Sequence, residues 1–213
     1  RVAKDVPFVQ LMILRGGAGD LDSAFVGAAW GSSILLLLAI YAISQVAAWV
    51  ADETEGRLEM ALSAPVPRWR VVLERAVTLL AGATILVILA SGVLAAVARS
   101  SGLTIDLAKF AGAAALLVPL VVAIGGIGAL LSGWRPRVAV WILGAVTVLS
   151  YFIQQLGPMF SFPPLVRDLS LFELYGQPLV QGPNWPGLWT ELAIIAGGFG
   201  LAALAMGRRD ITR

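Results

Sequence analysis

Five long apolar runs, separated by short polar stretches, organise the chain. They cover 24–50, 76–98, 110–131, 138–156 and 188–206. Each run approaches or exceeds the roughly 20 residues that an α-helix needs to cross about 30 Å of hydrocarbon. The pattern predicts an all-α, polytopic transmembrane helical bundle that forms a single domain over 1–213. The short polar stretch "SGWRPR" at 132–137 leaves room only for a tight helical hairpin between the third and fourth runs.

Composition places the chain in the membrane and removes several kinds of chemistry. Hydrophobic residues make up 59% of the chain and charged residues 13%, with a mean hydropathy of +0.87. Cysteine and histidine are both absent from the sequence. Disulfides, Cys/His zinc sites and Ser-His-Asp or Cys-His catalysis are therefore excluded. The net charge of +2 reflects bases in the loops, so nucleic acid is not indicated as a partner.

The distribution of bases predicts the orientation in a plasma membrane. Of the 15 Lys and Arg residues, nine fall on one side of the predicted bundle: Arg57, Arg68, Arg70, Arg75, Arg135, Arg137, Arg208, Arg209 and Arg213. Because basic loops are retained in the cytoplasm, this excess predicts that 52–70, 132–137 and the C-terminus are cytoplasmic. The N-terminal 23 residues are then outside, which suggests that the chain is part of a longer polypeptide lacking its first span.

The charged stretch "DETEGRLEMALSAPVPRWR" at 52–70 contains a predicted short helix. Glu55 and Glu59 are one helical turn apart, as are Leu58 and Leu62, so residues 54–64 form an amphipathic pattern that the following prolines end. One interpretation is a solvated helix on the membrane surface. The other is a rigid helix that projects toward a cytoplasmic partner.

The same stretch resembles the E-x-x-G-x-x-E-x-x-L-x-x-P-V-x-R signature of ATP-binding-cassette (ABC) type-2 exporter permeases. In that family the signature forms a coupling helix that docks into the nucleotide-binding ATPase subunit. The resemblance assigns ATPase coupling to Glu53, Glu55, Gly56, Glu59, Leu62, Pro65 and Arg68. It also implies that the five runs are the second to sixth spans of a six-span unit. ATP and Mg would then be bound by the partner ATPase, and no cofactor by this chain.

The proline-rich segment "FSFPPLVRDLSLFELYGQPLVQGPNW" is similar to the outer-interface, re-entrant segment that precedes the family's last span. Its prolines forbid one continuous helix, while its apolar residues favour short helices in the outer interface. The family often has Ser-Pro-Phe where this chain has Ser170, Leu171 and Phe172. A gate at the exit of the pathway and a structural cap both fit the pattern. The candidate gate residues are Phe160, Phe162, Phe172 and Tyr175.

Polar side chains are sparse inside the predicted spans. Gln154 and Gln155 are the candidate cargo contacts near the outer end, and Glu191 complements the positive N-terminus of the last helix. Small residues four apart, at Gly125 with Ala129 and at Ala196 with Gly200, predict close helix packing. No ionisable group lies at the centre of a span, which disfavours ion coupling.

These observations predict the permease of an ATP-driven exporter rather than an enzyme. The only lysines, Lys4 and Lys109, are not in a P-loop, so ATP hydrolysis is expected in a separate subunit. The expected cargo is apolar or amphipathic, such as a drug, antibiotic, lipid or glycan, and a second permease bundle would complete the path through the lipid. The alternatives are an ion-coupled secondary transporter or channel, a membrane enzyme, and a membrane anchor or sensor that does not transport.

Overall fold

Helices follow one another through all the parts of the chain that the structure describes. The computed structural model describes residues 33–55, 67–101, 106–160, 162–179 and 181–208. Its helices are α1 Leu35–Thr54, α2 Arg68–Ser100, α3 Leu107–Ala115, α4 Leu117–Trp134, α5 Pro136–Phe160, α6 Pro164–Arg167 and α7 Trp185–Arg208, with a 3-10 turn at Leu171–Glu173. These ranges contain no β-strand, and the predicted all-α class is confirmed.

Five helical stretches are long and apolar enough to cross a membrane, in agreement with the five apolar runs. They are α1, α2, α3 together with α4, α5, and α7. The helices extend beyond the apolar runs because backbone hydrogen bonding continues into the flanking polar residues. Helix α2 has 33 residues and is about 50 Å long. It begins at Arg68, about two turns before the apolar run predicted at 76–98.

Helix α4 occupies the centre of the bundle and packs against α1, α2, α5 and α7. In its crossing stretch, 61% of the most apolar window is buried, against 11 to 33% in the other four. The sequence "LVPLVVAIGGIGALLSGW" has no charged side chain and has small residues on several faces. A helix that is apolar all round can be buried on every side, and small residues let neighbouring backbones approach.

Prolines mark the two ends of α4. Pro119 has no N–H to donate to the carbonyl of Ala115, and the helical stretch is broken at Leu116, between α3 and α4. At the other end Arg135 is the only residue between α4 and α5, and it is extended because Pro136 follows. The hairpin predicted at 132–137 is therefore confirmed.

Glycines set the closest contacts of α4. The backbones of Gly126 and Gly198 touch, and a Cβ added at Gly198 would lie 2.5 Å from the Gly126 carbonyl oxygen. A Cβ at Gly128 would meet Val46 and Leu143. Ala196 and Gly200, whose spacing predicts close helix packing, both face outward from α7 and do not pack on α4. Gly198, two residues before Gly200, makes the contact instead.

The bundle has two ends, which we call the Glu53 end and the Phe172 end after a residue at each. The Glu53 end contains the end of α1, the start of α2, the α4–α5 hairpin and the end of α7. The Phe172 end contains the opposite helix ends and the connecting segment, described at 162–179 and 181–184. The predicted short helices are present in this segment as α6 and the 3-10 turn.

Large apolar side chains cover much of the lateral surface. Exposed tryptophans lie near both ends, with Trp69 and Trp134 toward the Glu53 end and Trp185 and Trp189 toward the Phe172 end. Indole rings favour the headgroup region of a bilayer. Their distribution fits a bundle that crosses a membrane with these two ends at opposite interfaces.

The membrane orientation can be tested by labelling single cysteines with an impermeant thiol reagent in intact cells. A cysteine at Arg137, in the hairpin, should be protected, and one at Gln181, in the connecting segment, should react. The native chain contributes no background because it has no cysteine. Both positions are exposed, unlike Ser132, which is 2% exposed and would be silent on either side. The reverse labelling pattern would invert the predicted orientation.

The central glycine contact predicts a large difference between neighbouring positions on α7. Gly198→Ala should lower the free energy of unfolding by about 1 to 3 kcal/mol, because the new methyl group meets the Gly126 backbone. Gly197→Ala is the matched control, since a Cβ there meets nothing within 4 Å. Unfolding by SDS in mixed micelles measures both. Equal stability of the two variants would show that α4 and α7 are not held this closely.

Candidate functional site

A buried ion pair joins α1 to α2 at the Glu53 end. Arg75 Nη1 donates a hydrogen bond to Glu53 Oε1 at 3.0 Å, and the two side chains are 11% and 9% exposed. Arg75 Nη2 also donates to the carbonyl of Trp49 at 3.3 Å, and the guanidinium carbon lies 5.7 Å from the centre of the Trp49 ring. Removal of one partner from a buried pair typically costs about 3 to 5 kcal/mol.

A second ion pair on α2 has a different environment. Arg70 and Glu74 are 3.0 Å apart and one helical turn from each other, but their side chains are 58% and 61% exposed. Solvent screens such a pair, which contributes about 0 to 1 kcal/mol. Within the described residues, Arg75 rather than Arg70 therefore connects α2 to the rest of the bundle by charge.

A small cavity lies beside the buried ion pair. The cavity is lined from α1, α2, α4 and α7, by Glu53, Val72, Arg75, Ala129, Ser132, Gly133, Phe199, Ala202 and Met206. The rings of Trp49 and Phe199 meet edge to face, with their centres 6.4 Å apart. Four membrane-crossing helices thus converge around one charged pair.

The predicted coupling residues begin at this site. Glu53 lies in the last turn of α1, Glu55 follows it, and Arg68 is the first residue of α2. Thr54, predicted to start a separate helix, instead ends α1, because the hydrogen bonds of the first span continue to it and the Glu55 N–H bonds to Ala51. Gly56, Glu59, Leu62 and Pro65 lie outside the described residues. Contact with an ATPase stays a prediction for all seven coupling residues.

The connecting segment inserts two aromatic rings into the Phe172 end. Phe172 is 1% exposed, and its ring meets the edge of Tyr151 with the centres 6.2 Å apart. The Tyr175 hydroxyl donates a hydrogen bond to the carbonyl of Ala113 at 3.0 Å. Ser170 donates to the carbonyl of Ser150 at 2.8 Å. These contacts attach the segment to α3 and α5.

The four candidate gate residues fall into two separate pairs. Phe172 and Tyr175 are buried, whereas Phe160 ends α5 with 62% of its surface exposed. The Phe160 ring stacks on Phe162, with centres 6.1 Å apart. The structure therefore places two aromatic pairs at this end: one is buried, and the other is exposed at Phe160 and half-buried at Phe162. Their role as a gate stays a prediction.

Asn184 fastens the connecting segment to the start of α7, which the sequence reasoning missed. Its side-chain amide donates to the carbonyls of Glu173 and Leu174, and its Oδ1 accepts from the Gly187 N–H at 3.2 Å. A Cβ at Gly187 would collide with the Leu174 carbonyl. The signal was present in "NWPG", because asparagine is a favoured N-cap and proline favours the first helical turn.

Three buried polar atoms have no hydrogen-bond partner among the described residues: Thr147 Oγ1, Gln154 Oε1 and Glu191 Oε1. Thr147 and Gln154 are seven residues apart on α5, so they share one helix face. Gln155, the other candidate cargo contact, is half-buried next to them. Unpaired buried polar atoms are costly and are typical of sites that bind water or another molecule.

Glu191 does not fit the role that its sequence position suggested. It is the seventh residue of α7 and is 2% exposed. A helix dipole acts mainly within the first turn, so complementing the N-terminus does not account for this carboxyl group. Ionisable groups inside membrane-crossing helices are commonly functional.

Comparison with protein families gives a match over most of the chain. A family model described as "Multidrug efflux system permease Rv1217c, C-terminal domain" matches residues 1–207. A search of curated proteins found no match.

The unpaired carboxyl group makes a testable prediction for stability. Glu191→Met should leave the thermal unfolding midpoint in detergent unchanged or raised, because an apolar side chain of similar size replaces an unsatisfied polar group. Glu191→Ala should lower the midpoint, because it leaves a cavity. An equal loss in both variants would show that polar contacts hold the carboxyl group in place.

Proposed function

The chain belongs to this multidrug efflux permease family, and on that premise we propose that it is the transmembrane permease of an ATP-driven exporter of the ABC type-2 class. Membership makes the chain a permease of an efflux system. The energy source, the partners and the cargo are the parts that we propose.

The position of the coupling signature carries the proposal. The signature starts at Glu53 in the last turn of α1 and ends at Arg68, the first residue of α2. It therefore occupies the whole connection between two helices that pack together at one end of the bundle. A connection in this position can transmit a push from a partner to both helices at once. This supports docking of the signature into an ATPase subunit.

The packing of the bundle supports a path between two permease bundles. In the described part of the chain α4 fills the centre, and its neighbours surround it. A cargo therefore has more room between two such bundles than through one. The second bundle would be another copy or a related unit, with lipid around both.

The polar atoms on α5 suggest an amphipathic cargo. Gln154 and Gln155 are half-buried on α5, beside many apolar side chains. Polar groups within an apolar surface can bind a molecule that is mainly apolar and carries a few polar groups. This supports Gln154 and Gln155 as cargo contacts, whereas Thr147, at 1% exposed, is buried within the bundle.

Glu191 favours a second candidate function, a proton-coupled transporter. Glu191 is 2% exposed in a membrane-crossing helix, and its Oε1 atom has no hydrogen-bond partner among the described residues. Carboxyl groups in this setting carry protons in pumps and transporters. The two candidates differ in their energy source, which makes them separable by one experiment.

We expect vesicles containing the permease and its ATPase to accumulate dye only when ATP is hydrolysed. Three fluorescent amphipathic dyes, one cationic, one neutral and one anionic, report on cargo class. Uptake should persist with an ionophore, because no ion gradient supplies energy. Glu59→Arg should reduce both recovery of the complex and uptake, since close pairs at an interface can contribute roughly 1.5 to 7 kcal/mol.

Glu74→Arg is the matched control for Glu59→Arg. It makes the same charge change on α2, where Glu74 is exposed and its ion pair contributes little. It should retain complex recovery and dye uptake. Uptake that collapses with an ionophore and continues without ATP would reject the ABC mechanism and favour the proton-coupled transporter.

A further inference from the structure

Arg75 connects the two helices that flank the undescribed residues 56–66. It lies in the second turn of α2, and its partner Glu53 lies in the last turn of α1. A movement of the connection would reach α1 near Glu53 and α2 near Arg68. The pair therefore lies where a push on the connection would enter the bundle.

Three contacts fix the guanidinium group in one orientation. It bonds to the Glu53 carboxylate and the Trp49 carbonyl, and it lies against the Trp49 ring. Both acceptors and the ring belong to the last two turns of α1. A planar group held at several points resists rotation more than a single charge contact does. The ends of α1 and α2 are thereby coupled as one body.

The small cavity beside the pair is lined from α4 and α7 as well as from α1 and α2. Its lining from α4 and α7 is mainly apolar and includes Ala129, Phe199, Ala202 and Met206. The hydrogen bonds of Arg75 lead to α1, so its charge is used to join these two helices.

We propose that Arg75 is a positioning residue of the export cycle. Through Glu53 and Trp49 it keeps the adjoining ends of α1 and α2 together when the 56–66 connection is displaced. This inference rests on the proposed exporter function. It assigns Glu53, the first glutamate of the signature, a role inside the bundle. Glu53 holds the connection to α2 through Arg75, in addition to any contact that it makes with the ATPase.

The test is the amount of dye taken up per ATP hydrolysed by the reconstituted complex of permease and ATPase. Arg75→Gln should retain recovery of the complex and basal hydrolysis but lose about tenfold in uptake per ATP, within the usual range of coupling between sites. Arg75→Lys keeps the charge and should lose less. Equal losses in the two variants would contradict a role through the Glu53 charge.

Arg70→Gln is the matched control, because it removes the same kind of side chain from the same helix at an exposed ion pair. It should behave like the wild type. Glu53→Gln should reproduce the Arg75→Gln loss, and the double variant should be no worse than either single one, since the two residues act together. Additive losses would overturn the proposal.

A distance measurement tests the proposal without disturbing the pair. Spin labels at Ala48 and Leu73, exposed positions on α1 and α2, should keep one distance with and without ATP. A nucleotide-dependent change between Ala48 and Leu73 would show that the two helix ends separate, which overturns the proposal even if the variants do not fold.

Different results would reject the exporter mechanism and the role of Arg75. Absence of ATP-dependent uptake in the wild type would reject the exporter mechanism and this inference with it. Wild-type uptake that depends on ATP and is unchanged in Arg75→Gln would reject this inference alone.

Discussion

The close approach of α4 to its neighbours is the interaction on which the other contacts depend. Lipid tails are as apolar as the side chains of the helices, so the hydrophobic effect does not hold such a bundle together. Close packing of the helix backbones does so instead. The touching backbones of Gly126 and Gly198 bring α7 onto α4. Because α1, α2 and α5 pack around the same helix, its position sets where every other crossing helix lies.

Within this apolar framework, some buried polar groups are paired and others have no partner among the described residues. At the Glu53 end, Arg75 pairs with Glu53 and lies against the Trp49 ring, so the adjoining ends of α1 and α2 are held in one arrangement. Toward the Phe172 end, Gln154 and Glu191 carry buried atoms without partners among the described residues. Paired charge suits force transmission, and unpaired polar atoms suit reversible binding.

The sequence predicted the parts of the structure that depend on local patterns. The five crossing helices follow from the apolar runs, and the hairpin follows from Pro136 and the short polar stretch. The pairing of Glu53 with Arg75 could not be predicted, because it joins residues 22 positions apart and depends on how two helices rotate against each other. For the same reason small-residue spacing pointed to Gly200, whereas the contact is made by Gly198. The burial of Phe172 and the unpaired carboxyl of Glu191 also depend on tertiary packing, which spacing alone does not encode.

The single-residue link at Arg135 has a consequence for how the protein is made. Helices α4 and α5 are joined so tightly that neither can enter the bilayer while the other remains far away in water. The uncharged α4 emerges first during synthesis and is followed at once by α5, so the two enter the lipid together as a hairpin. Helix α4, which contacts all the other long helices, thus enters the bilayer already paired with α5, and α7, which packs on it through glycine, follows later in the chain.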